Sequence, residues 1–482
     1  MNVIKDRQIP PVSRRRFLGA GSLALGSSAG LALTAPAARG GAEKPALLGG
    51  KPVKSDKFPG WPVEDATDEN AVAAVVRSGK WGRGSGARVL KFEQLFAELM
   101  EARNCLATSS GTAALLTSLN ALGVEPGDEV IVPPYTFVAC VNVILMNHAL
   151  PVFVDTDPET SQIDARKIDA AITGRTRAIL AVHLGGSTFD VDAVQAVARK
   201  HKVPILEDSC QSHLAEWRGH RTGSFGAAGC FSFQASKNLN SGEGGAILTA
   251  NEDFRDRCFT FHNNGRPFKQ PGEDFTYSHR GLNLRMTEFQ AALLATQMTR
   301  LEEQSKKRGA NAAYLTSMLR EIPGIAPAKM YEGCTRNAYH LYMLRFNSAE
   351  FGGLPRRTFL KAMHAEGIPA APGYTPLNQQ DFLKRTFQTR GFQAIYGPKR
   401  LAEWTEKNQC PANDRLCGEA VWFEQTMLLG PRSDMEQIAE AMRKIQRHAG
   451  ELQSAQGAAA SSGGTGKTLP PRSVVREIPE KA

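Results

Sequence analysis

The sequence predicts an α/β protein whose larger part is a mostly parallel sheet and whose smaller, C-terminal part is α+β. Three observations carry this. Short apolar runs without alternation, at Glu129–Val132, Pro151–Val154, Ala178–Val182, Val203–Leu206, Cys230–Phe233 and Ala246–Thr249, have the character of strands buried on both faces. Helical patterns such as Ala165–Ile172 and Val191–Lys202 stand between several of them, which is the order of βαβ units. After Pro323 the pattern changes to a strand candidate at Leu341–Phe346 and terminal helices ending near His448.

Taken from the N-terminus, Ser13-Arg-Arg-Arg-Phe-Leu18 precedes a small-residue apolar run, Gly19–Leu33, and then Ala35-Pro-Ala-Ala38. This is the order of a charged region, an apolar region and a cleavage site. The arginine pair before Phe-Leu resembles a twin-arginine export signal. The run is short and glycine-rich for a bilayer span, so export to the periplasm is expected, with retention by an uncleaved anchor as the alternative. The expected boundaries are a signal peptide at 1–38, an N-terminal arm at 39–60, a large domain at 61–311 and a small domain at 312–450. A disordered tail is expected at 451–482, rich in Ala, Ser, Gly and Pro. Its Gly464-Thr-Gly-Lys-Thr468 imitates the end of a phosphate-binding loop, but Ser461 stands where the motif's first glycine belongs and no strand precedes it.

At 482 residues, two or three domains are natural, and 42% hydrophobic with 22% charged residues is ordinary globular composition. Lys5, Arg7, Arg14, Arg15 and Arg16 against Asp6 leave +4 in residues 1–38 and +6 of the total +10 on the remainder. No basic stripe interleaved with aromatics remains, so nucleic acid is not an expected partner. The eight cysteines form no Cys-x-x-Cys pair and read as small buried hydrophobes. No metal-ligand spacing appears, so no metal is expected. Thr287-Glu-Phe-Gln290 opens a helix as a capping box, with good helix formers to about Lys307. Gly82-Arg-Gly-Ser-Gly86 follows a helix-like segment rather than a strand, which argues against a dinucleotide-binding dehydrogenase.

Three pieces carry chemistry. Asn104–Leu115 reads as strand, small-residue turn and helix start, whose free N–H groups at Gly111 and Thr112 suit an anion such as a phosphate. Glu207-Asp208 ends a buried strand, where open sheets place their ligands, although Asp208 could equally cap a helix. Lys237 follows 29 residues later at another strand end, in Ser-Phe-Gln-Ala-Ser-Lys237. A lysine, a carboxylate that keeps a pyridine ring protonated, and an anion cradle are together what pyridoxal phosphate chemistry needs.

With Gly111-Thr112, Pro126–Pro133, Thr136-Phe137, Pro151–Asp155, Glu207-Asp208, Gly223–Gly226, Phe231–Phe233, Ser236-Lys237, Gly242–Gly245 and Gly281-x-Asn283-x-Arg285-Met-Thr287 all in order, the chain resembles the DegT/DnrJ/StrS aminotransferases from about Trp61 to about Arg447. The resemblance implies the aspartate aminotransferase-like fold (pyridoxal phosphate-dependent fold type I), with a large, mostly parallel seven-stranded sheet domain that binds pyridoxal 5'-phosphate. It makes Lys237 the Schiff-base lysine and Asp208 the partner of the pyridine nitrogen. Gln211 would contact the cofactor's phenolic oxygen, and Phe137 would stack on its ring. Gly111, Thr112 and Ser232 would hold the phosphate, with Asn283 reaching in from a second subunit of a homodimer. His340 matches a position near substrate, with a satisfied core histidine as the other reading. Relatives that dehydrate carry histidine in place of the lysine, so Lys237 favours transamination. Leu214 stands where many members have glycine, and its larger side chain could change the pocket beside the cofactor, an effect the sequence leaves open.

Glu207–His213, Asn337–Tyr342, Phe351–Leu354 and Gly373–Leu377 are most similar to the branch that aminates keto-cyclitols such as scyllo-inosose from glutamine. The expected partners are therefore a keto sugar or keto-cyclitol and an amino-acid donor, glutamine or glutamate, with no stable membrane span after signal cleavage. An aminotransferase of nucleotide-linked sugars and a pyridoxal phosphate-binding protein without turnover are the alternatives. Export weighs against the first, because nucleotide-linked sugars stay in the cytoplasm.

Overall fold

A computed structural model describes residues 44–268 and 276–461. The signal segment, and the tail beyond Ser461, lie outside the described residues. Seven strands build the main sheet: β1 (Asn104–Thr108), β2 (Glu129–Val132), β3 (Leu150–Phe153), β4 (Thr176–Val182), β5 (Ile205–Asp208), β6 (Ala228–Ser232) and β7 (Gly245–Thr249). Their order is β1-β7-β6-β5-β4-β2-β3, and β7 alone runs against its neighbours.

Burial on both faces explains the unbroken apolar runs. Val130 and Val132 of β2, with Leu180 and Val182 of β4, enter one hydrophobic cluster, whereas Ile131, Ile179, Ala181 and Ile205 enter another on the opposite face. Successive residues of a strand point to opposite faces, so a strand covered by helices on both sides has no position for a polar alternate. Phe231, Ala246 and Leu248 complete a third cluster with Phe92, Phe96 and Leu294.

A second sheet of Ile325–Pro327, Leu341–Phe346 and Ala420–Glu424 is antiparallel, with Leu341–Phe346 in the middle. The helix opened by Thr287 runs Glu288–Leu319, beyond the expected end near Lys307. Its capping box forms as read, with Thr287 N donating to Gln290 Oε1 at 2.8 Å. The extension follows from its contents: Asn311-Ala-Ala-Tyr-Leu315 offers helix formers, and Ala312, Leu315 and Leu319 are buried against the second sheet. The first half of the same helix, through Ala291, Leu294 and Leu301, packs against the main sheet. The boundary expected at residue 311 therefore falls inside one rigid helix. Glu451–Ser461, expected without regular structure, instead continues as part of a helix, Ala449–Ser461.

The arm before Trp61 is tied down by charge. Glu366 accepts hydrogen bonds from Ala46 N at 2.8 Å, Val53 N at 2.9 Å and the Lys444 ammonium at 3.0 Å. The fully buried Lys54 reaches Asp434 at 2.7 Å. A single carboxylate that binds two arm amides and a lysine is satisfied on every side, which is the condition for burying it.

Candidate active site

The C-terminal ends of β5 and β6 open into a cavity of about 860 Å³. Gly111, Thr112, Phe137, Asp208, Gln211, Ser232, Lys237 and His340 all line it. Asn283 does not: it is exposed, paired antiparallel with Asn263, and lies outside this wall among the described residues.

At one end, the helix Gly111–Ala121 begins directly after the turn that leaves β1. Ser110 caps it, accepting from Ala113 N at 3.1 Å, while Ala114 N bonds Ser110 O at 3.0 Å. The amides of Gly111 and Thr112 come before these and have no intrahelical carbonyl within reach. Gly111 is needed for space: a Cβ there would stand 2.7 Å from Ser232 Cβ and 2.8 Å from Cys210 Sγ. The result is a backbone cradle at a positive helix end, closed on one side by the Ser232 side chain.

Pleating separates the two adjacent acids. Asp208 is on the cavity side. Its Oδ1 accepts from Cys210 N at 3.0 Å and its Oδ2 from Cys140 Sγ at 2.9 Å. Burial and then the Asp208 charge raise the Cys140 thiol well above its ordinary range, so it stays protonated and donates. Glu207 faces the other way. Its Oε1 accepts from Phe225 N at 2.7 Å and Gly226 N at 2.8 Å, and its Oε2 from Gly223 N at 2.8 Å and His183 Nε2 at 2.9 Å. Asp208 is thus the cavity group, and Glu207 folds the Gly223–Gly226 loop.

Lys237 lies in the loop between β6 and β7. Burial pushes its ammonium below the ordinary lysine range, against the opposing pull of Cys210 and Asp208. Its Nζ is 3.4 Å from His340 Nε2. Asn238 Nδ2 donates to Ala338 O at 2.7 Å, which turns Asn238 Oδ1 toward His340 Nδ1 at 3.2 Å. His340 therefore carries its proton on Nδ1 and presents a lone pair to Lys237. Burial first, then the charges of Lys237 and Arg308, hold His340 well below the usual histidine range, so it is neutral.

Gln211 is engaged at both ends, its Oε1 accepting from Gly185 N at 2.7 Å and its Nε2 donating to Tyr374 Oη at 3.1 Å. Gly185 and Gly186 take φ of +67° and +97°, and a Cβ on Gly186 would meet Tyr339 N at 2.7 Å, so this approach requires glycine. Phe137 is 55% exposed and stands on the cavity wall. Leu214, whose effect the sequence left open, has φ +64° and is fully buried among Phe92, Phe96, Phe231 and Phe233, away from the cavity. Its size is absorbed behind the sheet and leaves the pocket unchanged.

Sequence reasoning passed over Tyr374, Cys140, Trp61 and Gln425, all at or beside this cavity. Cys140 left a local sign, a polarisable donor one helical turn after Phe137, and Tyr374 lay in the Gly373–Leu377 segment singled out for its similarity. The others lie far along the chain from the motifs they join.

Comparison with known proteins agrees over most of the chain. Residues 62–395 match the model of the DegT/DnrJ/EryC1/StrS aminotransferase family. An L-glutamine:2-deoxy-scyllo-inosose aminotransferase of Streptomyces lividus is 35% identical over 429 residues, covering 85% of this chain and 99% of the relative. One of the same description from Streptoalloteichus tenebrarius is 36% identical over 420 residues, covering 84% and 98%. The crystal structure of 3-amino-5-hydroxybenzoic acid synthase superposes with a TM-score of 0.73 at 30% identity, covering 81% of this chain and 99% of that one. An aminotransferase from Psychrobacter cryohalolentis superposes at 0.72 with 27% identity, covering 82% and 100%.

Proposed function

Because the chain belongs to the DegT/DnrJ/EryC1/StrS aminotransferase family, whose members work with pyridoxal 5'-phosphate, we propose that it moves the amino group of L-glutamine to a keto-cyclitol of the scyllo-inosose kind. The observation that carries this reading is the convergence of Lys237, Asp208 and the Gly111 cradle on one cavity wall.

These residues fit the cofactor. The unpaired Gly111 and Thr112 amides beside the Ser232 side chain suit a phosphate, and an acceptor carboxylate at Asp208 suits a protonated ring nitrogen. When bound, pyridoxal phosphate supplies the electron sink that makes an α-hydrogen of an amino acid acidic. Asp208, oriented by Cys140 and Cys210 N, would hold the proton on that nitrogen. Lys237, with its lowered basicity, would capture the aldehyde as a free amine and later carry the proton at Nζ. The neutral His340 would steer that Nζ through its Nε2 lone pair. Phe137 would cover one face of the ring, and Gln211, locked between Gly185 and Tyr374, would present its remaining N–H to the phenolic oxygen.

The relatives' cyclitol names are the support for the acceptor class. Export through the Ser13–Leu18 segment and a homodimer completed by Asn283 belong to the same proposal. Cell fractionation and light scattering test them, a cytoplasmic or monomeric active protein opposing each. For the activity itself, L-glutamine should convert the visible band of the holoenzyme to that of the amine-loaded form, and scyllo-inosose should restore it. Failure with every amino donor would remove the reading.

A further inference from the structure

Arg308, on the long helix Glu288–Leu319, is the largest fully buried side chain of the described residues. Its Nε donates to Gln425 Oε1 at 2.8 Å. Its Cζ lies 5.2 Å from the centre of the Trp61 ring. Among the described residues neither Nη atom has a hydrogen-bond partner, and the same is true of Gln425 Nε2, Trp61 Nε1 and Ser305 Oγ, the last one helical turn away. No carboxylate among the described residues pairs with the guanidinium, and burial alone lowers its pKa to about 9. A buried cation without a counter-charge, set among unused donors, is a costly arrangement unless an anion completes it. Gln425 and Trp61 belong to the wall of the cavity that holds Lys237. Arg308 is also near enough for its charge to act on His340 and His213.

Three ligands can be weighed for this place: the acceptor, the cofactor phosphate and the amino donor. A keto-cyclitol is an uncharged polyol. The phosphate has its own cradle at Gly111 and Thr112. The donor carries an α-carboxylate before transfer and keeps it afterwards as a keto acid. Resting on the aminotransferase reading, we infer that Arg308 and Gln425 form the carboxylate subsite for the amino-acid donor, with Trp61 as its movable cover. Arg308 holds Gln425 Oε1, so the amide Nε2 and the guanidinium Nη atoms are the donors left for a carboxylate. All of them are shut off from solvent, and the part-exposed indole of Trp61 is the side chain placed to give way.

The test uses holoenzyme of the wild type, Arg308→Met, Arg308→Lys and Gln425→Leu. Each is followed in two half-reactions by the visible band, and titrated calorimetrically with glutarate, a dicarboxylate that cannot transfer an amino group. Loss of a charge-assisted hydrogen bond predicts that Arg308→Met and Gln425→Leu weaken glutarate and raise the L-glutamine concentration for half-maximal rate by about tenfold or more. Arg308→Lys, which keeps the charge but not the fork, should fall between. Reaction of the amine-loaded enzyme with scyllo-inosose, and affinity for pyridoxal phosphate, should stay near wild type. Unchanged glutarate and glutamine responses in Arg308→Lys and Gln425→Leu would overturn the subsite, even if Arg308→Met failed to fold. Weakened cofactor affinity with intact donor kinetics would also overturn it, assigning the charge to the phosphate. A wild type that L-glutamine leaves unconverted would instead defeat the aminotransferase reading itself.

Discussion

Asp208 owes its orientation to a thiol and a backbone amide, an arrangement in which Cys140 has one task, to donate. A hydrogen bond to a charged acceptor is worth about 1.5–3 kcal/mol, so Cys140→Ala should slow the donor half-reaction by about tenfold or more and shift the cofactor's visible maximum. Cys140→Ser, which restores a donor, should recover most of the rate. Stopped-flow absorbance checks both, and equal behaviour of the two variants would deny the thiol this role. Lys237 makes a pH prediction from its direction of shift. Its amine loses the proton at a lower pH than the ordinary 10.5, and only the free amine attacks an aldehyde. The rate at which the apoprotein captures pyridoxal phosphate should therefore rise with pH and level off below 10.5. At this scale Lys237 and Asp208 were legible in the sequence, because each stands at a strand end with its motif around it. Arg308 and Gln425, 117 residues apart, were not, because a buried arginine in a helix spells nothing until the fold shows what it lacks.

Strand β5 shows how an element divides labour that a sequence runs together. Glu207 and Asp208 read as a pair of acids at one rim, yet the period of two sends them to opposite faces. Glu207 then gathers three amides of the Gly223–Gly226 loop and His183. Glu207→Gln replaces one acceptor oxygen by a donor facing donors, and should cost about 2–4 kcal/mol of stability in chemical denaturation. The folded fraction should keep its cofactor band, since the cavity face of the strand is untouched. The long helix shows the other limit of local reading. Its start was legible from the capping box. Its end was not, because burial of Ala312, Leu315 and Leu319 against a sheet whose strands run from Ile325 to Glu424 sustains it. Leu214 is a third case: its sequence position pointed at the pocket, and the backbone turned it into the aromatic cluster instead.

Among the described residues, burial keeps the rings of His213, His262 and His340 neutral. Burial, chiefly, lowers His213 and His262 to about 3 and His340 well below its ordinary value. In the unfolded chain they take up protons near pH 6.5, so between 6.5 and 3 the unfolded state binds more protons than the native one. Stability therefore falls as the pH drops through this window, by at most about 1.4 kcal/mol per pH unit for each ring. The Tm should decline between pH 6.5 and 5, before most carboxylates titrate, and a flat profile there would contradict these environments. The arm is held by the same kind of buried charge, through Glu366, Lys444, Lys54 and Asp434, and it delivers Trp61 to the cavity wall.

The sequence by itself determined the parallel sheet and the placing of Gly111, Thr112, Asp208 and Lys237 at or just beyond its strand ends, because each is written in contiguous residues whose period, turn chemistry and spacing are local. Only the tertiary structure decided that Glu207 is a scaffold group, that Cys140 orients Asp208, that Leu214 leaves the pocket alone, and that Arg308 waits beside Gln425 without a counter-charge. Those facts rest on which distant side chains share a face and which buried polar atoms go unpaired, and neither exists until the chain is packed.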